Sequence, residues 1–288
     1  MQIFFEPLLS SAVERRPPIF PNRVRRHRTI FVSDAHLGTR SAQADLLADF
    51  LAHNDCRTLY LIGDIVDGWQ LKKGWYWAQS HSRVLHEILR KAQDGTRVFY
   101  VPGNHDEVFR DYCGLNLAGV EVRRDAIHES AAGKRFLICH GDQFDGVVAC
   151  GKWLAYLGDW AYDFALSLNI FVNAAQRILG LPHWSLSSFL KYRVKNAAQY
   201  VAEFERALAR EARLRGVDGV VCGHIHHAAI RVMDGILYAN DGDWVESCTA
   251  LVEDARGRLE ILRWTRFAAA IEMQNSEAQN GQLGHAAA

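Results

Sequence analysis

Five short apolar runs, each ending on polar residues that are costly to bury, constrain this chain more than any other feature. The first is "TIFVSDAHLG", in which the strand-like run Thr29 to Val32 gives way at once to Asp34 and His36. Thr58 to Ile62 leads into "GDIVDGW", Arg97 to Val101 into "PGNHDE", Arg135 to Cys139 into "HGDQFD", and Val217 to Cys222 into "GHIHHA". Each run is short enough for a buried strand. Ala42 to Leu51 and Ser80 to Gln93 carry helical spacing between them, so the first third of the chain reads β-α-β-α-β. That order favours a largely parallel sheet covered by helices. After Cys222 come shorter strands, Ala229 to Val232, Ile236 to Ala239, Thr249 to Glu253 and Leu259 to Trp264, with "MDG" and "ARG" as hairpin turns. They predict a second, mostly antiparallel sheet.

In open α/β sheets, ligands sit where the carboxyl ends of the strands meet, so five polar loops after five strands can converge on one site. Asp34, His36, Asp64, Asn104, His140, His224 and His226 offer carboxylate oxygen, amide oxygen and imidazole nitrogen without any thiolate. That mixture suits Mn, Fe or Zn. A single His or Asp after a strand is ordinarily a turn or cap residue. The joint pattern is not explained that way, and seven donors exceed the needs of one ion. His227 is read as a non-ligand, because alternate residues of an extended segment share a face that His224 and His226 already occupy. Asp142 and Asp145 read as residues that fix the loop.

Taken in order from Asp34 to His226, "DAH", "GDIVD", "GNHD", "HGD" and "GHIH" resemble the five blocks of the calcineurin-like metallophosphoesterases. The resemblance implies an α/β fold, a two-sheet sandwich flanked by helices. It also implies two divalent ions, Mn first, with Fe or Zn as alternatives. Asp64 would bridge them; Asp34, His36 and His226 would complete one shell, and Asn104, His140 and His224 the other. Such ions sit roughly 3.5–4 Å apart and clamp the attacking and leaving oxygens of a displacement at phosphorus. His105 resembles the family's catalytic His, and Asp67 the carboxylate that orients it; the plainer alternative makes Asp67 the cap of the next segment.

The serine/threonine phosphatase branch has Asp-Arg-Gly after the second block, whereas this chain reads Asp67-Gly68-Trp69. "SDAHLG", "GDIVDGW" and "HGDQFD" are instead similar to the UDP-2,3-diacylglucosamine diphosphatase branch. That similarity implies a lipid-linked sugar nucleotide as substrate, cleaved at its pyrophosphate to UMP and a lipid sugar phosphate in the lipid A pathway. The branch carries Arg where this chain has His105. Two other readings stay open: a phosphoesterase for a soluble nucleotide or phosphoprotein, and a binding scaffold without catalysis.

Between the fourth and fifth blocks lies a helical insertion, about 150–215. Residues 153 to 192 hold nine aromatics in forty positions, about twice the 11% of the whole chain. Trp153, Tyr156, Leu157, Trp160, Phe164, Leu168 and Phe171 form an apolar stripe at helical spacing. Packing on the core is one reading; the other is a lid over the site, with Trp160 and Phe164 toward acyl chains and Lys191, Arg193 and Lys195 toward pyrophosphate. A domain spanning 29–267 is expected, preceded by a basic arm, 1–28, and followed by a disordered tail, 268–288. The arm reads as a solvated tail or as a contact for anionic lipid or RNA. Overall, 33 basic residues balance 33 acidic ones, which gives no field that draws nucleic acid. Six cysteines without CxxC spacing suit a reducing compartment. Neither a secretory signal nor a spanning helix is expected, so the sequence predicts a cytoplasmic protein with peripheral contact at the inner membrane.

Overall fold

The computed structural model describes residues 24–145 and 186–264, with the side chains of 186–198 outside the description. Strands β1 (Arg25–Val32), β2 (Asn54–Ile62) and β3 (Arg97–Val101) run parallel, separated by helices α1 (Ala44–His53), α2 (Gly68–Lys73) and α3 (Gln79–Gln93). The short strands β4 (Asn116–Leu117) and β5 (Val120–Val122) extend this sheet at one edge. The second sheet starts with β6 (Ala126–Glu129) and β7 (Arg135–Ile138) and continues, after helix α4 (Leu186–Leu214), with β8 (Gly219–Cys222), β9 (Ala229–Met233) and β10 (Ile236–Asn240). The chain then returns to the first sheet as β11 (Thr249–Glu253) and β12 (Leu259–Arg263). The sheet orders are β12-β11-β1-β2-β3-β5-β4 and β6-β7-β8-β10-β9.

Side-chain alternation divides the sandwich into layers. Ile30, Val32, Leu59 and Leu61 face the helices and pack with Leu47, Phe50 and Leu51 of α1 and with Val84 and Ile88 of α3. Those α1 residues recur at three- and four-residue spacing, which places them on one helical face. Their strand neighbours Phe31, Tyr60 and Ile62 point the other way and meet Phe136, Ile138, Val221 and Ala239 of the second sheet. On that sheet's far face, Phe204, Leu208 and Ala212 of α4 pack on Leu137, Val220 and Tyr238. The order of layers is therefore helix, sheet, sheet, helix.

The C-terminal strands do not make a second sheet among themselves, as the sequence predicted. β11 pairs antiparallel with β1, Thr29 opposite Glu253, and carries β12 with it, while β9 and β10 join the other sheet. The physical reason is burial: all five residues of β11 are buried, so it fits only a strand covered on both faces. The second sheet is mixed, with β7, β8 and β10 parallel. The basic arm expected over 1–28 ends earlier, because β1 begins at Arg25 and pairs with β2 from Arg25–Asn54 onward. Of the insertion, only α4 is described, and its second half is a core layer on the sandwich. The tail 268–288 lies outside the described residues.

A buried polar cluster stitches the two sheets together at the end remote from the polar loops. Glu253 accepts hydrogen bonds from Thr29 Oγ1 at 2.6 Å and from the Ala131 amide at 2.7 Å, and it lies 2.8 Å from His128 Nε2. Burial alone would raise the Glu253 carboxyl, but these partners outweigh it and hold it below the usual glutamate value. A depressed carboxyl contributes stability above its unfolded value of about 4.3 and loses it as the pH falls through the native value. Glu253→Gln should therefore flatten the acid limb of melting temperature against pH, as followed by circular dichroism; an acid limb as steep as the wild type's would show that this carboxylate is not part of it.

Candidate metal centre

The polar loops leave the strands in conformations that ordinary residues avoid. Asp34, His36, Asp64, His224 and His226 all have positive φ, between 47° and 72°. Left-handed backbone at a residue with a Cβ costs of order 1–3 kcal/mol and persists only where the surroundings enforce it. Here it turns five side chains inward at the ends of β1, β2 and β8. The enforcing contacts are backbone bonds: Asp34 N to Gly63 O at 3.1 Å, and His36 N to Asp64 O at 2.9 Å.

Three groups of donors, each with its ligand atoms within 4.8 Å of one another, result from this convergence. They are Asp34, His36 and His226; His36, Asp64 and His105; and Asp64, His140 and His224. Asp64 Oδ2 lies 3.3 Å from His140 Nε2, and Asp34 Oδ1 lies 3.1 Å from His226 Nε2. The His36 and His226 Nε2 atoms face each other at 3.3 Å. Asn104, which follows the close turn at Gly103, is half-buried beside them.

The donor set fits a divalent cation by a test internal to the structure. Asp34 Oδ1, Asn104 Oδ1 and His140 Nε2 are buried without a hydrogen bond. Such atoms are expensive unless something else satisfies them. His140 Nδ1 lies 2.8 Å from the Ile62 carbonyl and donates to it, which leaves Nε2 as the nitrogen that would face a cation. Asp34 Oδ2 is already used, accepting from Ser33 Oγ and from the His224 amide at 2.8 Å. The field also favours positive charge. Burial would raise the Asp64 carboxyl, yet His140, His105 and His36 hold it well below the carboxylate range. Burial would lower His140, yet Asp64 and Asp34 push it up to about 10.

Around these donors stands a supporting layer, of which the sequence pointed to Asp67, Asp142 and Asp145 but not to Asp106. Asp106 accepts from the Ile65 amide at 2.8 Å, from the Gly103 amide at 2.6 Å and from Tyr100 Oη, tying the loops after β2 and β3 together. Asp145 lies 2.9 Å from His224 Nε2 and accepts from Tyr200 Oη, while Asp142 pairs with Arg110. Asp67 does both things the sequence left open. Its Oδ1 caps α2 by accepting from the Gln70 amide, and its Oδ2 lies 3.0 Å from His105 Nδ1 and 3.1 Å from His36 Nδ1. Trp69 packs on the His105 ring at 4.3 Å between centroids. Burial would lower the His105 imidazole, but Asp67 and Asp64 prevail and raise it above the ordinary histidine value.

Trp160 and Phe164 lie outside the described residues, as do the side chains of Lys191, Arg193 and Lys195. A groove of about 430 Å³ opens between the loop after His36 and α2, lined by Thr39, Arg40, Gln70, Lys73 and Tyr76 and by none of the donors above. The Arg40 guanidinium lies 4.6 Å from the centre of the Tyr76 ring. No acid lines this groove. Among the described residues, no helix is long and apolar enough to cross a membrane.

The tightness of the centre generates a prediction. A Cβ on Gly103 would lie 2.3 Å from Asp64 Oδ1 and 2.7 Å from His140 Nε2. Gly103→Ala should leave a folded protein whose affinity for Mn²⁺ falls by about 10–100-fold, the span seen when supports of metal ligands are disturbed. Calorimetric titration checks this, and wild-type affinity in the variant would mean that these two atoms do not hold the ion.

The calcineurin-like phosphoesterase family model matches residues 27–228. A UDP-2,3-diacylglucosamine hydrolase of Neisseria gonorrhoeae is 28% identical over 235 residues, covering 74% of this chain and 88% of the relative. Another, from Chromohalobacter salexigens, is 31% identical over 220 residues, covering 72% of this chain and 84% of the relative. An archaeal phosphodiesterase structure aligns with 82% of this chain and 98% of its own at a TM-score of 0.38 and 14% identity, too distant to add weight. With all five polar loops inside the matched span, the chain belongs to the calcineurin-like phosphoesterase family and is a metal-dependent hydrolase of phosphoric ester or pyrophosphate bonds.

Proposed function

We propose that this enzyme hydrolyses the pyrophosphate of UDP-2,3-diacylglucosamine, or of a closely related lipid-linked sugar nucleotide, with two divalent ions held by the seven donors. The observation that carries the chemistry is the convergence of buried, unsatisfied donor atoms on one point beside His105 and Asp67. The substrate class rests on relatives named for UDP-2,3-diacylglucosamine hydrolysis that match this chain over most of its length. The acid-free groove at Arg40 and Lys73 supports an anionic substrate.

In this reading Asp34, His36 and His226 would hold one ion and Asn104, His140 and His224 the other, with Asp64 shared between them. Mn²⁺ is the assigned metal, with Fe or Zn as alternatives. When bound, such ions supply Lewis acidity to the phosphoryl oxygens and make water a competent nucleophile near neutral pH. His105 gives its proton to the oxygen that leaves phosphorus, so that the broken P–O bond ends as a protonated phosphate. Asp67 keeps that imidazole charged and oriented, and Trp69 restricts the ring from one face. Because Asp67 also contacts His36, the acid and one metal donor share a single anchor. Trp160 and Phe164 are assigned to the acyl chains and Lys191, Arg193 and Lys195 to the pyrophosphate, at the cytoplasmic surface of the inner membrane.

A hydrolysis assay with Mn²⁺ tests this reading. Diacylated UDP-glucosamine should be cleaved far more efficiently than UDP-glucosamine, since each buried methylene contributes about 0.8 kcal/mol. Chelation should abolish turnover, and His105→Ala should lower it by roughly 10²–10⁴-fold without loss of metal. Equal efficiency on the acylated and unacylated forms would instead assign the enzyme to a soluble substrate, an outcome in keeping with His105 standing where the lipid-linked branch carries Arg.

A further inference from the structure

Behind Asp34 a single hydroxyl serves two carboxyl groups. Ser33 Oγ lies 2.5 Å from Asp34 Oδ2, 2.6 Å from Asp241 Oδ1 and 3.2 Å from the Gly242 carbonyl. A serine hydroxyl has one hydrogen and can donate it to one acceptor at a time. Two short oxygen contacts to two carboxyls therefore need a second hydrogen, and one carboxyl must carry it.

Asp34 is the poorer carrier. Its Oδ2 already accepts the His224 amide at 2.8 Å, and a proton on that oxygen would oppose the bond. Asp241 has the opposite setting. It is fully buried at the end of β10, its Oδ2 has no hydrogen-bond partner, and among the described residues no cation pairs with it. Burial, with Asp34 nearby, pushes its carboxyl well above the usual range even though Ser33 works the other way. An unpartnered oxygen is far less costly on a neutral acid than on a carboxylate. The space is also closed, since a Cβ on Gly223 would lie 2.2 Å from Ser33 Oγ and 2.4 Å from Asp34 Oδ2.

We propose that Asp241 is a neutral carboxylic acid that donates its proton to Ser33 Oγ, which obliges Ser33 to donate to Asp34 Oδ2 and reserves Asp34 Oδ1 for the metal. Asp241 is then a positioning residue. It touches no reacting atom, and it acts by choosing which oxygen of Asp34 stays free. The role toward metal rests on the assignment of Asp34 as a ligand; the location of the proton does not.

The test compares Asp241→Asn, Asp241→Ala and Ser33→Ala in the full chain. Infrared difference spectra at neutral pH should show a protonated-carboxyl stretch in the wild type that disappears in Asp241→Asn. An amide can donate to Ser33 as the acid does, so Asp241→Asn should keep Mn²⁺ affinity within a few-fold. Asp241→Ala and Ser33→Ala should each weaken it by about 10–100-fold. A spectrum unchanged by Asp241→Asn places no proton on Asp241 and overturns the proposal, as does an Asn variant as weak for Mn²⁺ as the Ala variant. Should the wild type bind no Mn²⁺, the metal assignment fails on its own and the infrared band still decides where the proton sits. Should Asp241→Ala not fold, the band and the Asp241→Asn affinity are sufficient.

Discussion

Two buried carboxylates at the ends of adjacent parallel strands set the terms for the rest of this molecule. Asp34 and Asp64 are almost wholly removed from solvent, with exposures of 0% and 2%, and both sit in left-handed backbone. Buried anions repel each other and lose their hydration, and their backbone adds strain. Nothing in a packed sandwich alone would favour such an arrangement. It becomes reasonable once positive charge is brought to the same place, and the imidazoles of His36, His140 and His226 converge there with nitrogen atoms directed at the carboxylates. A stable protein that concentrates strain and unsatisfied donors at one point has reserved that point for a ligand.

The layers supply the rigidity that this requires. Phe31, Tyr60 and Ile62 lock the first sheet to the second, so the loops after β2 and β8 are held at a fixed separation. α4 reaches the centre directly, because Phe204 is fully buried, packs at 5.8 Å from the His224 ring and leaves no space for a Cβ on Gly141. Asp106, tied to the loops after β2 and β3, and Asp67, tied to α2 and two histidines, bring the same rigidity down to individual donors. The cap of α2 and the ring contacts of His36 and His105 thus share one hydrogen-bonded scaffold.

Much of this was legible in the sequence, for a physical reason. A buried parallel strand reads as a continuous apolar run, and a ligand loop reads as costly polar residues placed straight after it; Asp34, Asp64 and His140 satisfy both conditions. The allocation of the C-terminal strands was not legible. Thr249–Glu253 looks like half of a hairpin, and only its burial on both faces shows that it belongs beside β1. α2 escaped notice because six residues are too few for a helical period to show. Part of the supporting layer was equally hidden. Asp106 and Asp241 look like loop residues, and their importance comes from contacts across 41 and 208 positions of sequence, with Ile65 and Ser33 respectively. Asp67 could not be assigned between capping α2 and facing His105 because it does both.

The central claim is that the five loops hold two ions bridged by Asp64, and metal stoichiometry on active protein measures it most directly. The enzyme should be loaded with Mn²⁺, freed of excess ion by dialysis, assayed, analysed for metal and examined by anomalous diffraction. Two ions per chain are predicted, one beside Asp34, His36 and His226 and one beside Asn104, His140 and His224, with Asp64 reaching both; Asp64→Ala should lose the pair. A fully active wild type with a single ion, or an Asp64→Ala variant that retains two, would contradict it.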